Sequence, residues 1–180
     1  MVTFMETQRI KLTPPSLEYS ESMFTVIEDS KEEFAPFLPW VTDSLTLTDI
    51  EENTKTALVN FEQFVDEFWF NIIEKANGHF IGAIGFIVRD KSVPYFEIGY
   101  WLRTSETGKG YVTEAVSLVE RYAFQVRCAR RLEIKMAESN IKSQAVATRC
   151  GYHFEACLVN GRRLPSSDLD NTLIYVKTQL

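Results

Sequence analysis

The sequence contains few cysteines and histidines and no long apolar run. Its cysteines, Cys128, Cys150 and Cys157, lie outside any CxxC pair, and its two histidines, His79 and His153, are isolated. These spacings fit neither a disulfide framework nor a zinc site. No apolar run approaches the length of about 18 residues that a membrane helix needs, and the opening segment MVTFMETQRIKLT lacks a secretory h-region. We therefore expect a soluble, cytoplasmic protein that holds no metal.

Positive charge is also scarce. The chain has 19 Lys and Arg against 25 Asp and Glu, a net charge of −6. This balance argues against direct binding to nucleic acid or to an anionic membrane surface. With 180 residues, 45% of them hydrophobic, the chain has the length and apolar content of one globular domain, predicted over residues 1–180.

The predicted elements begin with a strand and a series of helices. Alternating residues 9–13 indicate a half-buried strand, after which Ser16 can cap a helix. Two Ser/Thr-x-x-Glu patterns, Ser30 with Glu33 and Thr48 with Glu51, predict capping boxes of two further helices.

Strands dominate the middle of the chain, and helices and strands alternate after it. Asn77-Gly78 between strand-like runs 68–73 and 80–88 predicts a hairpin with a type I′ turn. The remaining predictions are helices over 112–125 and 141–149, and strands over 95–102, 132–136, 157–159 and 172–177. This order indicates a mixed α/β protein.

A glycine turn, Gly108-Lys109-Gly110, joins the strand over 95–102 to the next helix. Such a turn presents free backbone N–H groups at the positive end of a helix dipole, which suits a phosphate or pyrophosphate. A Walker loop needs Ser or Thr directly after the lysine, and a dinucleotide fingerprint needs Gly where Thr113 stands. Spacing alone leaves open that the glycines serve only helix packing.

Three ordered motifs resemble those of the GNAT acetyltransferases, and more narrowly of the ribosomal-protein N-terminal (Rim-type) acetyltransferases. The acetyl-CoA motif is matched by EIGYWLRTSETGKGYVTEAVSLVERYAF, the second motif by AESNIKSQAVATRCGYHFEACL, and the substrate-side segment by FAPFLPW. The resemblance covers roughly residues 7–175. It implies a GNAT fold, in which a central, mixed and mostly antiparallel sheet splays between two strands and carries helices on both faces.

The resemblance also implies acetyl-CoA as co-substrate. Backbone groups of Trp101, Leu102 and Arg103 would pair with its pantetheine arm, and Asn140 would bond to that arm from the next strand end. The backbone amides that would cradle the pyrophosphate are those of Glu106, Thr107, Gly108, Lys109, Gly110 and Tyr111. Ser105 departs from the Gln or Arg that is common in the superfamily, but a main-chain cradle does not use that side chain.

Two side chains are candidate catalytic residues. Glu97 lies on the strand that leads to the splay, where the resemblance places an acid, and is the first candidate base; Glu138 and Glu155 are weaker candidates. Ser143 is the candidate hydrogen-bond donor to the departing thiolate. Structural roles stay open for both residues, as a carboxylate bonded to a neighbouring strand and as part of a first helical turn. Asn140 is equally suited to cap that helix.

Aromatic residues are candidates for binding the acceptor: Phe37 and Trp40 between prolines, and Tyr100 on the strand before the turn. An α-amine with a pKa of about 8 is roughly one-fifth neutral near pH 7.4, whereas lysine is about 0.1% neutral. An N-terminal acceptor therefore needs little help from a catalytic base to lose its proton.

We predict acetyl transfer to the N-terminal α-amine of a protein, such as a ribosomal protein beginning with Ser or Ala, by direct attack in a ternary complex. The alternatives are transfer to a small amine (polyamine, amino sugar or amino acid) and a noncatalytic acyl-CoA sensor. The sequence leaves open whether two chains form a homodimer through an edge strand.

Overall fold

Eight strands and five α-helices make up the part of the chain that the structure, a computed structural model, describes: residues 5–178. The strands are β1 Met5–Glu6, β2 Ile10–Thr13, β3 Glu67–Glu74, β4 Phe80–Asp90, β5 Tyr95–Leu102, β6 Arg131–Ala137, β7 His153–Arg163 and β8 Leu169–Thr178. The helices are α1 Ser20–Asp29, α2 Lys31–Phe34, α3 Leu47–Gln63, α4 Tyr111–Gln125 and α5 Ile141–Arg149. The predicted single domain, 1–180, includes residues 1–4 and 179–180, which lie outside the described residues.

All strands belong to one sheet in the order β1-β2-β3-β4-β5-β6-β8-β7. Strands β5 and β6 are parallel, and every other neighbouring pair is antiparallel. β5 pairs with β4 over its whole length, from Tyr95 to Leu102, but with β6 only from Tyr95 to Glu97. The two parallel strands therefore diverge after Glu97, which confirms the predicted mixed sheet with a splay between neighbours.

Helices cover both faces of the sheet, as predicted. On one face, Phe96, Ile98 and Leu102 of β5 share a buried core with α4 and α5. On the other face, α1 and α3 pack over β3 and β4 around Ile73 and Phe80, in a second core that includes Met23, Val26, Ile27 and Ile50. Because side chains alternate along a strand, neighbouring residues of β5 serve different cores. Among residues 5–178, no helix has the length and apolar composition needed to cross a bilayer.

The predicted helix caps are confirmed in part. Ser16 accepts from the Glu18 N–H at the start of a 3₁₀ turn that leads into α1. The capping box of α3 is formed by Thr46 and Asp49 rather than by Thr48 and Glu51, because the helix begins two residues earlier than predicted. Ser30 makes no capping bond to its own helix, and its hydroxyl accepts instead from the backbone N–H of Thr104, 3.1 Å away.

The hairpin at Asn77-Gly78 is confirmed, but its type I′ turn is wrong. Residues 75–79 connect β3 to β4, and Gly78 has a positive φ of 75° while Asn77 does not. A loop of this length needs one left-handed residue and not the two of a type I′ turn. Strands β7 and β8 extend well beyond the predicted spans. The ends of β7 were hard to predict because the strand is exposed on both sides and shows no alternation of apolar residues.

Candidate active site

The splay leaves one main-chain edge of β5 without a partner strand after Glu97. The Arg103 N–H donates to the Ile81 carbonyl at 2.8 Å. This bond continues the register of β4 and β5, in which Gly82 lies opposite Leu102. In an antiparallel pair, every second residue of a strand directs its main-chain N–H and C=O toward the partner strand, and the residues between them direct theirs to the other side. Main-chain groups of Trp101 therefore face β4, and those of Ile98, Tyr100 and Leu102 face the diverging β6.

Of the residues expected to pair with an extended arm, this alternation directs only one toward the gap. Of Trp101, Leu102 and Arg103, only Leu102 directs its main-chain groups into the gap. Both backbone groups of Arg103 are already bonded, its N–H to Ile81 and its carbonyl to the N–H of Glu106 at 2.9 Å. A strand edge without a neighbouring strand offers a regular row of donors and acceptors to an extended ligand.

The glycine turn meets that edge at the start of α4. Gly108 and Gly110 have φ of 79° and 86°, a region that side-chain-bearing residues rarely adopt. Gly110 is the N-cap, and its carbonyl accepts the first helical bond, from Glu114. The N–H groups that begin the helix consequently have no acceptor within it and remain available to an anion.

Two of the amides that were predicted to hold a pyrophosphate already have acceptors within the protein. The N–H groups of Glu106 and Thr107 donate to the carbonyls of Arg103 and Thr104 in a 3₁₀ turn, so these two amides are engaged within the protein. The Lys109 ammonium lies 2.8 Å from the Glu106 carboxylate, which offsets its charge. The amides that fit a diphosphate are therefore those from Gly108 into the first turn of α4.

A hydrogen bond joins β5 to α5 across the splay. The Tyr100 hydroxyl lies 2.9 Å from Ser143 Oγ. Asn140 caps α5 by accepting from the Ser143 N–H at 3.1 Å, which fixes the position of Ser143 in the first turn. Burial raises the pKa of Tyr100, so its phenol stays protonated at neutral pH. Tyr100, predicted to contact substrate, is thus the partner of Ser143, whose hydroxyl can in turn donate to a group in the gap.

Glu97 lies away from this pair. It is three residues before Tyr100, about 10 Å along the strand, and its side chain is on the opposite face. Its carboxylate accepts two bonds from the Arg89 guanidinium, at 2.7 and 3.0 Å, and the Lys135 ammonium lies at 3.3 Å. The structure does not bring Glu97 and Ser143 together, and the base role of Glu97 stays a prediction.

The two weaker acid candidates also have partners. Glu155 pairs with Arg131, and Glu138 accepts from the Asn171 side chain at 2.7 Å. Both residues are exposed. These contacts are those of surface residues that join strands and strand ends.

A cavity of about 460 Å³ opens on the face of the sheet that carries α1 and α3. All three tryptophans of the chain line it, Trp40, Trp69 and Trp101. Gly99 forms part of its floor, and a Cβ added there would meet no atom within 4 Å. Of the predicted acceptor-binding residues, Trp40 and Tyr100 line the cavity and Phe37 does not. Trp69 and Gly99 also line it, and no motif in the sequence indicated them.

The wall of this cavity carries little charge. Among its described lining residues, Glu67 is the only charged one, and Asn53, Thr56 and Asn60 add polar groups. Burial, together with the nearby Glu97, raises the pKa of Glu67. Across residues 5–178, no cluster of three or more His, Cys, Asp or Glu side chains could hold a metal ion.

Comparison with known proteins identifies the fold. Residues 9–153 match the family model of the acetyltransferase (GNAT) domain. The chain belongs to the GNAT acetyltransferase family. This confirms the family resemblance inferred from the three motifs.

Two curated relatives match part of the GNAT chain. The ribosomal-protein-serine acetyltransferase of Escherichia coli is 39% identical over 98 residues, 54% of each chain. The probable N-acetyltransferase YjcK of Bacillus subtilis is 35% identical over 92 residues, 50% of each chain. The chain thus spans about half the length of the curated relatives it matches.

Solved structures resemble almost the whole chain. The microcin C7 self-immunity acetyltransferase MccE, in complex with acetyl-CoA and AMP, has a TM-score of 0.89 at 26% identity, covering 96% of this chain and 94% of its own. The ribosomal L7/L12 α-N-protein acetyltransferase RimL, in complex with coenzyme A, has a TM-score of 0.89 at 18% identity, covering 98% of both chains. The second likeness establishes a shared fold.

Proposed function

We propose that this chain is a cytoplasmic, single-domain enzyme that transfers the acetyl group of acetyl-CoA to an amine. The observation that carries the proposal is the continuity of the free β5 edge with the glycine turn: one route offers bonds to an extended arm and ends at amides suited to a diphosphate. The complexes of MccE with acetyl-CoA and of RimL with coenzyme A support the same ligand.

Leu102 and Tyr100 would hold the pantetheine arm through their main chains, and the amides from Gly108 to Tyr111 would hold the diphosphate. Acetyl-CoA supplies a thioester whose sulfur leaves as a thiolate. In this proposal Ser143 donates a hydrogen bond to that sulfur while its Oγ, 2.9 Å from the Tyr100 hydroxyl, accepts from the phenol. Such a donor, fixed before the reaction, stabilises charge that develops in the transition state.

The acceptor would enter from the tryptophan-lined cavity, on the opposite face from Ser143. Donor and acceptor then meet at the Gly99–Leu102 stretch of β5, which supports direct attack in a ternary complex. Burial raises the pKa of the Cys150 thiol, which disfavours the thiolate that an acetyl-cysteine route would need. Proximity of two bound reactants supplies much of the rate gain in such a reaction.

The favoured acceptor is the N-terminal α-amine of a protein. The Escherichia coli relative named ribosomal-protein-serine acetyltransferase supports it. So does the chemistry of an α-amine, which is partly neutral at physiological pH and needs little help from a base. A second candidate is a small amine with an apolar or aromatic body, which the three tryptophans and the single acid of the cavity favour. A polyamine is disfavoured, because it needs several carboxylates.

The test is release of CoA thiol by the purified protein from acetyl-CoA. Acceptors are peptides beginning with Ser or Ala, the same peptides with blocked N-termini, small aromatic amines and spermidine. We expect turnover with free peptides and none with blocked ones. Turnover with aromatic amines alone would assign the second candidate. Binding of acetyl-CoA without turnover on any of these acceptors would contradict both candidates and favour another acceptor or the noncatalytic acyl-CoA sensor.

Replacing Glu97 by Gln is expected to lower kcat/KM for a Ser peptide by about tenfold. This is less than the roughly 10²–10⁴-fold typical of general-base catalysis, because the α-amine is already partly neutral. Steady-state kinetics at pH 7.4 would measure the change. Arg89→Gln is the matched control: it breaks the same ion pair and keeps the carboxylate, so kcat/KM is expected to stay within about threefold. Equal losses in both variants would show that Glu97 only joins strands.

A further inference from the structure

We propose that Arg9 is a positioning residue that holds the glycine turn in the conformation that receives a diphosphate. The inference rests on the proposed function. Arg9 directly precedes β2 and lies about a hundred positions from the turn in sequence. Its Nη1 donates to the Lys109 carbonyl at 2.9 Å and its Nε to Glu114 at 2.7 Å, and the guanidinium lies 4.7 Å from the centre of the Tyr111 ring.

The bond to the Lys109 carbonyl fixes the orientation of one peptide group. Lys109 stands between two glycines with positive φ, and glycine permits many backbone conformations. In a planar trans peptide the C=O of one residue and the N–H of the next point in opposite directions. Drawing the Lys109 carbonyl toward Arg9 therefore directs the Gly110 N–H away from Arg9, where it is free to bond to a ligand.

The bonds to Glu114 control charge at the same place. Glu114 lies in the first turn of α4, and an unpaired carboxylate there would repel a diphosphate. Arg9 donates to it through Nε and also through Nη2, and Thr7 Oγ1 donates to its other oxygen at 2.5 Å. The Arg9 guanidinium thus holds the Lys109 carbonyl away from the anion site and pairs with the Glu114 carboxylate that would otherwise repel the anion.

Arg9 is suited to a test by substitution because it does not belong to the core. Its side chain is 46% exposed, and exposed ion pairs contribute little to fold stability. Lysine in its place would keep the charge but lose the fork that reaches a carbonyl and a carboxylate together. Arg121→Gln is the matched control, since it removes the same charge from an exposed position on α4.

The experiment compares two acetyl donors, acetyl-CoA and S-acetylpantetheine, which lacks the diphosphate. For Arg9→Gln we expect the KM for acetyl-CoA to rise about tenfold with kcat within about twofold, and kcat/KM for acetylpantetheine to stay unchanged. Arg9→Lys is expected to raise the KM about fivefold, and Arg121→Gln to match the wild type.

Each other outcome has a defined meaning. Equal losses with both donors, or an unchanged KM for acetyl-CoA, would overturn the role of Arg9. A wild-type protein that fails to bind acetyl-CoA in calorimetry would refute the proposed function itself, independently of Arg9. Glu114→Gln provides a second measurement: in the background of Arg9→Gln it should recover part of the lost affinity, because the unpaired carboxylate is gone.

Discussion

Replacing Ser143 by alanine is expected to lower kcat by about 10²–10³-fold, the effect of removing one fixed donor to developing charge, while the Kd of acetyl-CoA stays nearly unchanged. The substitution removes only the hydroxyl that bonds to Tyr100. Alanine keeps the backbone N–H that donates to the Asn140 side chain at the start of α5. Single-turnover kinetics and calorimetry together would separate the chemical step from binding.

Two further variants determine how the hydroxyl acts. Tyr100→Phe keeps the ring and removes the phenol that orients Ser143, so we expect a smaller loss of kcat, about tenfold. Ser117→Ala, an exposed serine on α4, is the matched control and should behave as wild type. If Ser143→Ala lowers the melting temperature and leaves kcat unchanged, the hydroxyl is structural and not a donor to sulfur.

Replacing Gly99 by valine is expected to lower kcat/KM for the acceptor by about 100-fold without changing the Kd of acetyl-CoA. The added atoms enter the floor of the tryptophan-lined cavity, where an added Cβ would have no neighbour within 4 Å. Valine also favours a strand, so the fold should be as stable as wild type or more so. Steady-state kinetics with the acceptor varied would measure the loss.

Side chains of increasing size at position 99 provide a second test of whether this cavity binds the acceptor. Gly99→Ala adds less volume than Gly99→Val and should cause a smaller loss for every acceptor. The difference should grow with the size of the group next to the amine, if that group occupies the cavity. Equal kcat/KM values for wild type and Gly99→Val would exclude this cavity as the acceptor site.

Features encoded by neighbouring residues were predictable from the sequence. The Gly108-Lys109-Gly110 turn and helix α5 depend on local backbone preferences, and the structure has both where the sequence places them. Caps were less predictable: Thr46 and Thr48 each precede an acid by three residues, and which of them caps α3 depends on how the helix packs.

Features that join distant segments were not predictable. Trp40, Trp69 and Trp101 line one cavity because β3 and β5 flank β4 and the segment before α3 folds over them. Arg9 bonds to Glu114 across 105 positions. The main-chain direction at Leu102 depends on the hydrogen-bonding phase of β4 and β5, which no residue type reveals. Such relations follow from sheet order and register, and these are properties of the whole fold.

The divergence of β5 from β6 has a consequence for the lifetime of the protein. A continuous sheet would satisfy the main-chain groups of Ile98, Tyr100 and Leu102 internally; here an extended ligand can do so in place of a strand. A ligand that binds only the folded chain adds about 2.7 kcal/mol to the unfolding free energy at a concentration 100 times its Kd. Acetyl-CoA and CoA would both act in this way. The combined pool of the two, and not the ratio between them, would then set how strongly bound ligand protects each copy from unfolding and proteolysis.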